Sequence, residues 1–132
     1  MKRRALLALP ASALLGGCLG LDIGDAPRTR IAWIRLVNER PEPFDVTVVV
    51  ERDGEQVSSE TYRLGTGAEG TVRSDDPVDM SGRYTVRFRA DGQWVHVEPS
   101  AYADVAAPCV GVRFELHRQG TMGYEVTPGR DC

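Results

Sequence analysis

The chain has 132 residues, 16 cationic and 19 anionic side chains, and a formal net charge of −3. That length allows one domain with one hydrophobic core. An acidic balance repels nucleic acid, so a nucleic-acid partner is not expected.

The first residues read as an address. Lys2, Arg3 and Arg4 form a cationic start, and residues 5–15 are an apolar run broken only by Pro10 and Ser12. Gly16 and Gly17 follow, small enough for a signal peptidase site. Charge, apolar core and small residues, in that order, make a secretory signal. The apolar run is about half the roughly 20 residues that a membrane-spanning helix needs, and Pro10 disturbs a helix further. A signal peptide over residues 1–17 is therefore expected.

Leu15-Gly16-Gly17-Cys18 resembles the lipobox of secreted lipoproteins. The resemblance implies that the Cys18 thiol receives a lipid, that cleavage follows Gly17, and that Cys18 becomes the first residue of a membrane-anchored protein. The chemistry needs a nucleophilic thiol to form a thioether. The alternative is a plain secreted protein with an incidental Cys18. Arg3-Arg4 before Ala5-Leu6-Leu7 also resembles a twin-arginine export signal, which carries folded proteins; the general secretory route is the other option.

Removing residues 1–17 leaves 115 residues (132 − 17), with 13 arginines, no lysine and 19 acidic side chains. The side-chain charge of that part is thus −6 (13 − 19). With Val, Ala, Gly and Thr plentiful and Ile scarce, it resembles a small exported protein of a salt-loving archaeon. A GC-rich bacterial genome gives much of the same bias. Of three cysteines, Cys18 is accounted for if it is lipidated. Cys109 and Cys132 then face an oxidising compartment and are expected to form a disulfide. Closing that loop stabilises by about 3 kcal/mol in the chain-entropy picture.

Residues 18–29 hold Gly20, Gly24 and Pro27 and show no period. They read as a tether averaging roughly 18 Å end to end. From residue 30 to the end, at 132, the period is two and a β domain is expected. Residues 30–38 form a largely apolar strand, closed off by Pro41 and Pro43. In 44–51, Phe44, Val46, Val48 and Val50 share one face. Asp53-Gly54 supplies a hairpin turn with the positive φ it requires. The returning strand, 56–64, splits its apolar residues between phases, with Val57 on one and Tyr62 and Leu64 on the other. That split signals a bulge or an edge.

A Gly-rich loop over 66–71 leads to a short strand near 70–73, and 74–81 is polar and acidic. Tyr84, Val86, Phe88 and Ala90 then alternate with Arg83, Thr85, Arg87 and Arg89. Asp91-Gly92 turns the chain, residues 94–98 return, and Pro99 ends the strand. Residues 100–108 have room for one helical turn. Val110, Val112, Phe114 and Leu116 alternate with Gly111, Arg113, Glu115 and His117, and 123–127 forms a last strand. The two Asp-Gly hairpins match at an offset of 38 residues (84 − 46), which is too few copies for a repeat architecture.

Seven or eight short strands without a convincing helix predict an all-β, antiparallel, immunoglobulin-like sandwich. Its core is expected to include Val46, Val48, Val50, Tyr84, Val86, Phe88, Val112 and Phe114. In this pattern the chain resembles small archaeal lipoproteins with an immunoglobulin-like domain. The Cys-Trp-Cys signature of antibody domains is missing, since Cys109 and Cys132 both fall late.

Candidate chemistry is sparse. Cys109, His117, Met122 and His96 invite a cupredoxin-like copper site. However, Cys109 and His117 lie eight residues apart on one predicted strand, roughly 26 Å at 3.3 Å per residue, too far to share a metal. Asp75, Asp76 and Asp79 form the densest acidic cluster but lack a calcium-loop pattern. No nucleophile and base sit in a recognisable catalytic motif, so no catalytic residue, cofactor or metal site is assigned. Arg83, Arg87, Arg89 and Arg113 suggest a basic stripe for an acidic partner or sulfated sugar, against simple cross-strand pairing. Trp33 and Trp94 suggest partner or glycan contacts, against packing. The expected function is a lipid-anchored, extracytoplasmic, non-enzymatic binding or envelope module with a protein or glycan partner. The alternatives are a metal or electron carrier and a carbohydrate-binding accessory protein.

The anchor has a direct test. Cys18→Ser is expected to move the protein from the membrane fraction to the soluble fraction, read by fractionation and immunoblot.

Overall fold

Alternating polarity becomes two facing sheets. In the computed structural model, residues 28–103, 108–130 and 132 are described. The predicted signal peptide, Cys18 and most of the tether lie outside them. Eight strands follow one another: β1 (Arg30–Asn38), β2 (Phe44–Arg52), β3 (Glu55–Leu64), β4 (Thr71–Asp75), β5 (Tyr84–Ala90), β6 (Gln93–Val97), β7 (Cys109–Leu116) and β8 (Met122–Gly129). Two 3₁₀ turns, Gly67–Gly70 and Pro99–Tyr102, fill connections. The described residues contain no helix long and apolar enough to cross a membrane.

One sheet has the order β4-β1-β7-β8 and the other β3-β2-β5-β6. This is the all-β sandwich that the alternation predicts. Its ladders are antiparallel except for β1 with β7, which run parallel. Both Asp-Gly turns have the expected positive φ: 51° and 85° at Asp53 and Gly54, 53° and 72° at Asp91 and Gly92. The two hairpins they close lie side by side in one sheet, joined through β2 and β5. β3 is an edge strand, and the β2–β3 ladder shifts register between Val50 and Glu51. Both readings of its split pattern therefore apply.

The core lies between the sheets. Val46, Val48, Val50, Tyr84, Val86, Phe88, Val112 and Phe114 are all buried. The rings of Phe88 and Phe114 stack across the gap with centroids 4.7 Å apart. β1 adds Ile31, Ile34 and Leu36. Its buried positions change phase between Ile31 and Ile34, where the β1–β7 ladder shifts register between Ile31 and Trp33. That bulge turns Trp33 out onto Gly111 of β7. A Cβ at Gly111 would fall 1.9–2.5 Å from indole atoms of Trp33, so the ring fills the space a side chain would take.

Polar groups close the ends of the sandwich. Cys109 is bonded to Cys132, with Cα atoms 5.8 Å apart, within the ordinary disulfide range. Thr29 is buried, exchanges backbone hydrogen bonds with Gly82, and donates its hydroxyl to the Pro108 carbonyl at 2.8 Å. At the opposite end of β1, buried Asn38 donates to the carbonyls of Glu42 and Gly65 and accepts from the Arg40 amide. Arg40 itself is buried, donating to the carbonyls of His117 at 3.2 Å and Gly120 at 2.8 Å. Its guanidinium also lies 3.7 Å from the Asp91 carboxylate and 4.8 Å from the Phe44 ring centre. One side chain thus links the β1–β2, β5–β6 and β7–β8 turns.

Two substitutions test this packing. Phe88→Ala is expected to cost about 3–5 kcal/mol through lost burial and the cavity it leaves. Gly111→Ala is expected to cost about 1–3 kcal/mol by overpacking against Trp33. Denaturant unfolding followed by tryptophan fluorescence measures both.

Candidate binding face

Outward positions of β2, β5 and β6 make the most chemically distinctive surface. Strand pairing places Arg87 opposite His96 and Arg89 opposite Trp94. The Arg87 and Arg89 guanidinium carbons lie 5.3 and 5.7 Å from the Trp94 ring centre, within cation–π range. Arg87 also holds Glu51 of β2 at 2.7 Å. Arg89, Trp94 and His96 are exposed. Across the same face, Thr47 and Thr61 share a hydroxyl hydrogen bond at 2.9 Å. The result is a sheet surface with one aromatic plate, two guanidinium groups beside it and hydroxyls alongside. An exposed aromatic face offers a plane for stacking, and guanidinium groups offer paired donors that suit carboxylate or sulfate oxygens.

The stripe expected from four arginines is divided. Arg113 lies on β7 of the other sheet, with Nε 2.6 Å from Glu115 Oε1. Arg83 precedes β5, and its backbone amide bonds to the Asp53 carboxylate. Trp33 is half-buried on that other sheet, under Arg73 at 5.2 Å.

The metal readings from sequence separate in space. Cys109 opens β7 with its sulfur committed to Cys132, His117 follows the far end of that strand, and His96 lies on β6 of the other sheet. The four donors of the copper reading cannot share an ion. Asp75, Asp76 and Asp79 face three different arginines: Arg73 at 2.7 Å, Arg30 at 3.4 Å and Arg52 at 3.9 Å.

One convergence has no local signal in the sequence. Glu39, Glu115 and His117 bring one oxygen or nitrogen each to within 4.8 Å of one another. Glu115 and His117 share a strand phase. Glu39 is 76 residues from Glu115 (115 − 39) and arrives only through the β1–β7 pairing.

A cavity of about 70 Å³ opens between the β3 and β4 edges, lined by Ile34, Val48, Tyr62, Val72 and Pro77 among others. Small-molecule sites are usually about 300–1,000 Å³, so this space fits a water or a small apolar group. Tyr62 at its rim donates its hydroxyl to the Glu60 carboxylate. Burial, then that hydrogen bond and the carboxylate's charge, push its phenol from 10.0 up to about 12, against a smaller lowering by Ser74.

The fold is an immunoglobulin-like β-sandwich, and its most distinctive open surface is the Trp94 face. Residues 42–112, more than half of the chain, match the Halobacterial Ig-like domain family, and the chain belongs to that family. No curated protein matches it. Among solved structures, it is similar to a protein from Eubacterium rectale at 18% identity and a TM-score of 0.42, covering 80% of this chain and 95% of that one. It is also similar to a candidate cell adhesion protein from Bacteroides ovatus ATCC 8483 at 12% identity and a TM-score of 0.36. That match covers 78% of this chain and 45% of the other, so the chain spans less than half of that protein's length.

Tyr62 gives a pH signature. The unfolded chain ionises this phenol first, so its contribution to stability is full below about pH 10 and is lost as pH rises towards 12. Tyr62→Phe is expected to flatten that alkaline loss in pH-dependent thermal melts. It is also expected to remove one late-titrating phenol from the ultraviolet absorbance titration.

Proposed function

We propose that the protein is a lipid-anchored, non-enzymatic binding module of the cell envelope. In this reading Cys18 carries the lipid, the residues between it and Thr29, which is buried in the sandwich, are a short tether, and the sandwich works outside the cell membrane. It presents the Trp94 face to a protein or glycan partner bearing carboxylate or sulfate groups. The observation that carries this reading is the exposed Trp94 ring flanked by Arg87 and Arg89. A large amphipathic ring beside guanidinium groups is the composition that dominates recognition surfaces. Arginine suits carboxylate and sulfate oxygens because it offers two parallel donors. Membership of the immunoglobulin-like family supports a binding role. The Cys109–Cys132 bond supports work in an oxidising compartment.

The test is a crosslinking pulldown from intact membranes, comparing wild type with Trp94→Ala and Arg89→Ala. Both side chains are exposed, so both variants are expected to stay folded while recovering at least about fivefold less partner, as expected for loss of about 1 kcal/mol or more at a recognition hot spot. Equal recovery would move the binding site off this face. Soluble sulfated glycan is expected to compete if the partner is a sugar.

A further inference from the structure

The opposite sheet carries a second site, independent of the Trp94 face. We propose that Glu39, Glu115 and His117 bind a transition-series divalent cation of the Zn²⁺ type at the end of the parallel β1–β7 pair. His117 Nδ1 lies 3.6 Å from Glu39 Oε2 and 3.6 Å from Glu115 Oε2. Two metal–ligand bonds of about 2.1 Å, opened to about 120°, span that separation. One imidazole and two carboxylates form a donor set suited to Zn²⁺, with water completing the shell.

The ligands sit on fixed backbone. The Glu39 amide donates to the Leu116 carbonyl at 2.9 Å, tying the end of β1 to β7. The His117 amide donates to the Thr121 carbonyl at 2.9 Å, and the His117 carbonyl accepts from Gly120 and from buried Arg40. Side-chain orientation is set as well. The His117 ring lies against Gly123 of β8, where a Cβ would come within 2.8 Å of Nε2. With Nε2 backed against that strand, Nδ1 is the nitrogen facing the two carboxylates. Glu115 forms an ion pair through Oε1 with Arg113, Nε lying 2.6 Å away, while Oε2 is the oxygen nearer His117 Nδ1. Such outer partners typically orient metal-ligating carboxylates.

The competing arrangement is His117 paired with the two glutamates with no ion. Isothermal titration of the full chain with Zn²⁺ alone separates the two. The expected result is one saturable site, retained in His96→Gln and lost in His117→Gln. Glu115→Gln is expected to weaken it about tenfold or more. Zn²⁺ is expected to shift the His117 imidazole resonances and leave those of His96 in place. Glu39→Gln, at an exposed position, provides the same test should His117→Gln fold poorly. Absence of saturable binding by the wild-type chain overturns the proposal. So does binding that is unchanged in both His117→Gln and Glu39→Gln.

Discussion

The structure depends on the burial of two apolar sheet faces against each other, centred on the Phe88–Phe114 stack. β5 and β7 bring these rings from different sheets, so neither sheet hides its inner face alone. Burying apolar side chains supplies about 25 cal/mol per Å² of surface removed from water. The hairpins, the bulge in β1 and the outward residues all follow from keeping the inner face continuous. Val49 shows how far this extends: it alternates outward from Val48 and Val50 yet is only 5% exposed, with Ser59 and Arg87 as its cross-strand neighbours. Long arginine stems shield apolar surface while the charge stays in water.

Polar groups act as fasteners at the ends rather than as the main source of stability. The ion pairs Arg52–Asp79, Arg63–Asp45 and Arg73–Asp75 each involve an exposed carboxylate, and such pairs contribute about 0–1 kcal/mol each. Arg40 and Asn38 differ because they are buried and donate to backbone carbonyls of the neighbouring turns. Leaving a buried carbonyl unpaired costs about 1–3 kcal/mol. Arg40 therefore links three turns, and through the His117 carbonyl it fixes one residue of the Glu39–Glu115–His117 cluster. The disulfide holds the opposite end of β7.

This arrangement leaves the two outer faces free to differ. The β5–β6 side has cations beside an aromatic ring, while the β1–β7 corner gathers carboxylates around an imidazole. Two of the four edge strands, β8 and β3, carry residues that oppose unwanted pairing. β8 carries Pro128, which lacks the backbone donor that a new strand would need. β3 carries Glu55, Glu60 and Arg63, charges that discourage edge-to-edge association.

Strand positions, both Asp-Gly turns and most of the core were legible in the sequence, because side chains alternate with a period of two and these turns need positive φ. Trp94 and its arginines were legible as residues. Their contact was not, since it depends on which strands pair and in what register. The phase change in β1 was equally hidden: Ile31-Ala32-Trp33-Ile34 is apolar throughout, and only the bulge decides which side chain faces inward. By itself, then, the sequence determined the strands, the hairpins and the inner face. Tertiary structure decided the parallel pairing of β1 with β7. That pairing alone carries Glu39 to His117, because no local period links residues so far apart in the chain.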